Sequence, residues 1–104
     1  MKPLTERYDV STVHNQSEER VYIRVEKALE EHPEVCRCPT CVLDLVAFML
    51  NRVTPRYSTG LLGELHPRKL LERKMGLEIE LSLKAGMERL RRHPHHESGS
   101  TAGA

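Results

Sequence analysis

At 104 residues the chain has room for one modest domain and a single core. Sixteen basic residues against 15 acidic ones leave a formal charge of +1, so composition supplies no broad field for a polyanion and nucleic acid is not an expected partner. Hydrophobic residues make up 38% and aromatic ones 4%, without Trp, which predicts an aliphatic core that gains stability from a metal, a disulfide or a second subunit.

Residues 1–14 show no clean period and are expected to form a flexible N-terminal arm. The start, Met1-Lys2-Pro3-Leu4-Thr5-Glu6, lacks the apolar stretch of a secretory signal. No run approaches the roughly 20 apolar residues of a membrane-spanning helix. A soluble, cytoplasmic protein without membrane insertion is the expectation.

Helix signals open at Asn15, which can cap, with Glu18 placed to reach back in a capping box. Val21, Val25, Ala28 and Leu29, with Tyr22 beside them, follow at helical spacing and predict an amphipathic helix ending near His32-Pro33. Val35 to Cys41 is rich in turn formers and reads as a knuckle. Pro39 or Thr40 can open a second helix through Asn51, and its nearly all-round apolar surface marks it as the central, most buried element. Val53 to Gly60 reads as loop. A short helix over Pro67 to Lys74 fits the next stretch, with Gly76 preceding a last helix that buries Ile79, Leu83, Gly86, Met87 and Leu90. Arg89, Arg91 and Arg92 fall in its last turn, where positive charge suits the helix dipole. Residues 94–104 have the low complexity of a disordered tail. The fold class predicted is all-α: one small domain over residues 15–93, about four helices, and a cysteine knuckle before the central one.

Cys36-x-Cys38-x-x-Cys41 carries the most chemistry. Three thiols in six positions, odd in number and without an export signal, point to thiolates on a metal rather than a disulfide framework. Zinc is the natural ion, since it takes sulfur and nitrogen ligands tetrahedrally and a closed site contributes to folding. The fourth ligand is open among His32, His66, His93, His95 and His96. The competing reading, three small residues packed around a turn, is weakened by their clustering. No Glu or His stands at metalloprotease or deaminase spacing, and the chain has no phosphate loop, nucleophile elbow or dinucleotide fingerprint, so it is not expected to be an enzyme. Asp44 on the second helix reads as a locally paired acid. Arg52 and Arg56, with Tyr57, Ser58 and Thr59, combine guanidinium forks, an aromatic face and hydroxyls, a set that suits a phosphate-bearing nucleotide as well as a solvated loop. Lys84 with Arg89, Arg91 and Arg92 is the corresponding set for a nucleic-acid backbone.

The ordered run Cys36-x-Cys38-x-x-Cys41-x-x-Asp44, continuing into Ala47, Leu50-Asn51-x-Val53-x-Pro55-x-Tyr57 and Thr59, resembles the signature of the late competence development protein ComFB family. Asn15, Glu18 and Val21 match its approach to the first helix, and the similarity spans about residues 13 to 92. The resemblance implies a small bacterial helical homodimer that binds zinc, linked to competence, motility and surface behaviour. It also implies a receptor for cyclic di-GMP or cyclic di-AMP that acts on a further protein partner. By position, Cys36, Cys38 and Cys41 would be zinc ligands, and Arg52, Arg56, Tyr57 and Thr59 would contact the nucleotide. Some relatives carry another Cys beyond the last helix, where this chain has His93, His95 and His96, which makes His93 the expected fourth ligand. Many members have Leu-Pro-Pro where this chain has Val53-Thr54-Pro55. That departure bears on ligand preference.

Overall fold

The computed structural model describes residues 1–59 and 69–92. In chain order these form α1 (Leu4–Arg7), a 3-10 turn (Val10–Thr12), β1 (His14–Asn15), α2 (Gln16–Glu31), α3 (Pro39–Leu50), β2 (Tyr57–Ser58) and α4 (Lys69–Arg92). The fold is helical, as the periodicity predicts, with one short antiparallel ribbon added: β1 pairs with β2, His14 opposite Ser58 and Asn15 opposite Tyr57. No residue of 1–13 is buried.

α2 starts where its cap predicts. The Asn15 side-chain oxygen accepts the Ser17 N–H at 3.1 Å, satisfying one of the four amides that a helix start leaves open. Glu18 takes a different partner from the expected capping box, accepting the Tyr22 hydroxyl. The buried stripe is Ser17, Val21, Val25 and Ala28, while Tyr22 stands on the exposed side. The helix stops at His32, whose N–H still donates to the Ala28 carbonyl, because Pro33 disfavours helical geometry in the residue before it.

α3 opens with Pro39 at its first position, where a missing N–H costs nothing, and buries Cys41, Leu45 and Met49. Leu43 is 65% exposed, so the apolar surface that predicted complete burial is left partly open on its outer side. α4 differs more from expectation. It is one continuous helix of 24 residues that runs through Gly76, where the sequence suggested a break. Glycine lowers helix propensity by only about 1 kcal/mol, and the seven buried positions from Met75 to Leu90 outweigh that. The remainder of the Leu61 to Gly76 connection, residues 60–68, lies outside the described residues, as does the tail over 94–104.

Two kinds of contact set the packing. Ser17 meets Met75, Arg24 meets Glu80 and His32 meets Arg91 in the same order along both helices, so α2 and α4 run parallel with α3 packed on both. α3 and α4 approach closely at Gly86, where a Cβ would stand 2.6 Å from Leu45 Cδ1 and 3.0 Å from Phe48 Cδ2. Gly76 meets nothing within 4 Å; it borders an open groove of about 270 Å³ between α2 and α4 that Ile23, Lys27 and Ile79 also line. The buried core is aliphatic and sulfur-containing, with Met49 and Val21 among its most enclosed side chains. Buried Ser17 and Ser82 donate to the carbonyls of Thr54 and Ile79, as buried hydroxyls must.

Candidate metal centre

Cys36, Cys38 and Cys41 come together because the chain turns sharply between two helices. Val35, buried in the core, anchors one side of the knuckle, with its N–H donating to the His32 carbonyl at 3.1 Å. The Arg37 guanidinium reaches back to the Leu29 carbonyl in the last turns of α2 and ties the knuckle to that helix. Cys38 is the N-cap of α3 and Cys41 lies within its first turn.

The three sulfurs lie within 4.8 Å of one another. Thiolates on one tetrahedral zinc, at Zn–S of about 2.3 Å, are separated by about 3.8 Å, so closure asks for at most about 1 Å of movement. Backbone amides already point at the sulfurs: the Cys38 N–H donates to Cys36 Sγ at 3.5 Å and the Cys41 N–H to Cys38 Sγ at 3.4 Å. The Cys41 amide is the largest influence holding the Cys38 thiol below its ordinary value, with burial opposing it. Amides at a helix N-terminus favour the thiolate form, which is the form that binds a metal. The donor set therefore fits a soft divalent ion, and these are the residues that would hold it. Of the histidines considered as a fourth ligand, His66, His93, His95 and His96 lie outside the described residues. The His32 ring faces Glu34 and Arg91, at 3.4 Å from each.

The family model for late competence development protein ComFB matches residues 14–94. The chain belongs to the ComFB family. Comparison with curated proteins and with solved structures gave no match. Membership covers the helical domain from β1 onward and includes the cysteine knuckle, which agrees with the resemblance drawn from Cys36 to Thr59.

The four residues proposed for nucleotide contact in this ComFB-family chain are distributed rather than convergent. Arg56 is half-buried and its guanidinium is bound to Glu72 at 2.8 Å, a carboxylate that Arg20 also grips at 2.6 Å. The cavity beside Arg56 holds about 60 Å³, well short of the roughly 300 Å³ of a small-molecule pocket. Tyr57 is 65% exposed on β2, and Thr59 is exposed just beyond it. Arg52 is exposed and stacks on Phe48, its Cζ 4.4 Å from the ring centroid. Arg89 approaches the same ring at 5.4 Å. About 25 Å of helix rise separates Glu72, which holds Arg56, from Arg89, so the two arginines of the loop serve different ends of α4.

Sequence reasoning assigned no role to Phe48 or Glu72 and gave Arg89 only a helix-end or nucleic-acid role. Phe48 and Arg52 stand one helical turn apart, a spacing that brings side chains together on a helix face and could have exposed this pair. No sequence signal links Arg56 to Glu72. Among the described residues, no helix is long and apolar enough to cross a membrane.

Proposed function

We propose that this ComFB-family chain is a regulatory binding protein rather than an enzyme. In this reading it is a helical homodimer with a structural zinc held by Cys36, Cys38 and Cys41, completed by a histidine such as His93. It senses cyclic di-GMP or cyclic di-AMP through the segment after α3, where Arg52 and Tyr57 are both exposed, and signals to a protein partner in competence, motility or surface behaviour. The observation that carries the reading is the convergence of three thiols at the start of α3. Zinc there would tie the end of α2 to the start of α3 and so contribute to folding directly. Exposed Leu70, Leu77 and Leu81 support a dimer: they lie on the face of α4 opposite Ile79, Gly86 and Leu90 and present a stripe that suits an isologous contact. Exposed Tyr57 and Arg52 support a planar, phosphate-bearing ligand.

The same leucine stripe favours a second reading, a protein-interaction regulator with structural zinc and no nucleotide ligand. Native mass spectrometry of the purified chain, with and without each cyclic dinucleotide, separates the two. A zinc-loaded dimer that gains one dinucleotide mass supports the receptor. A zinc-loaded dimer that ignores both leaves the interaction regulator, and a metal-free monomer refutes both.

A further inference from the structure

Arg52 and Arg89 come from different helices and converge on one aromatic ring. With Cζ atoms 4.4 and 5.4 Å from the Phe48 centroid, the two guanidiniums lie within about 10 Å of each other and both within cation–π range of the ring. Phe48 is a fixed platform because Gly86 has no side chain, and even a Cβ there would come within 3.0 Å of the ring. The ring therefore seats on the bare backbone of α4, about one turn before Arg89.

Two like charges drawn to one ring call for an anion. Among the described residues, carboxylates pair with Arg20, Arg24, Arg56, Arg91 and Arg92, and neither Arg52 nor Arg89 is among those pairs. Positive charge just past α3 and in the last turn of α4 suits both helix dipoles. Dipoles, however, accept a long side chain in any direction and give no reason for two to gather on Phe48. Both arginines are exposed, so their N–H forks remain open to a ligand.

We infer that Arg52 and Arg89, mounted on Phe48, form a two-pronged clamp for a phosphodiester, and that this is where the cyclic dinucleotide is held. The ligand's identity rests on the receptor reading above; the clamp itself rests on the Phe48 geometry. A guanidinium offers a bidentate fork to phosphate oxygens, and stacking on Phe48 orients that fork before the ligand arrives. The inference adds Arg89 to the site and leaves Arg56 as the structural partner of Glu72.

Titration calorimetry of the zinc-loaded full chain with both cyclic dinucleotides tests it. Arg52→Ala and Arg89→Ala each weaken binding by about tenfold or more. Arg89→Lys, which keeps the charge but loses the fork, recovers only part of the loss, and Arg92→Ala binds as the wild type does. If Arg56→Ala abolishes binding while Arg89→Ala leaves it intact, the clamp is overturned and the receptor reading survives. If the wild type takes up neither dinucleotide, the receptor reading falls and pyrophosphate becomes the probe. Shifts of the Arg52 and Arg89 Nε–Hε resonances, absent in Phe48→Leu, then sustain the clamp, and their absence overturns it.

Discussion

The two glycines of α4 make a paired test of the packing, because the same substitution should have opposite effects at positions ten residues apart in one helix. Alanine in place of glycine stabilises a helix interior by about 1 kcal/mol. At Gly76 nothing stands within 4 Å of the new methyl, so that gain is unopposed, and the melting temperature should rise by about 4–8 °C. At Gly86 the methyl would lie 2.6 Å from Leu45 Cδ1 and 3.0 Å from Phe48 Cδ2. Leu45 is 3% exposed, so its methyl has little free space to move into. Overpacking of this kind costs about 1–3 kcal/mol, and Gly86→Ala should come out destabilised by up to about 2 kcal/mol after the helix gain is subtracted. Thermal and urea unfolding by far-UV circular dichroism, at fixed protein and zinc concentrations, reads both variants. If Gly86→Ala is as stable as Gly76→Ala, α3 and α4 do not meet as described.

Three further outcomes follow from the site and its supports. Cys41→Ser, and chelation of the wild type, should each remove the zinc detected by elemental analysis and lower the melting temperature, whereas Thr40→Ser should do neither. Asn15→Ala should destabilise by about 1–2 kcal/mol in urea, since its side-chain oxygen accepts from both Ser17 N–H and Arg56 N–H; a loss within error would show that water replaces both bonds. Glu72 is held below its ordinary 4.5, first by the Arg56 hydrogen bond and then by Arg20, with burial opposing. A carboxylate depressed in the folded state stabilises it above pH 4.5, and that contribution fades as pH falls through the lower folded value. Glu72→Gln should thus be less stable than wild type at neutral pH by about 0.5–1 kcal/mol, a figure reduced for solvent screening, with the gap closing in acid. A gap that persists below that window would assign the effect to packing.

Much of this fold was legible because local rules and tertiary demands agree. Asn15 caps α2, Pro33 ends it, Pro39 opens α3, and the stripe from Ile79 to Leu90 is the buried one. The cysteine cluster was legible for the same reason: its spacing within one turn leaves few other arrangements. What escaped is made by contacts distant in sequence. A two-residue strand such as Tyr57–Ser58 has no period to detect, and its pairing with His14–Asn15 is a tertiary event. Gly76 looked like a boundary because propensity is local, while the burial of Met75 and Ile79 on either side decides the outcome. The pairing of Arg56 with Glu72 escaped for the same reason, since it joins residues from separate elements and no local pattern signals it.

The double acceptance by Asn15 has a consequence for motion. One oxygen holds the first turn of α2 and the Arg56 amide together, and the Gln16 N–H closes the junction onto the Arg56 carbonyl at 2.7 Å. The helix start and the loop after α3 are therefore expected to open as one cooperative unit, with amides that exchange with solvent at a common rate. A molecule that quiets this loop would be registered at the head of α2, which places the start of the domain in direct communication with the loop that the sequence marked out for ligand contact.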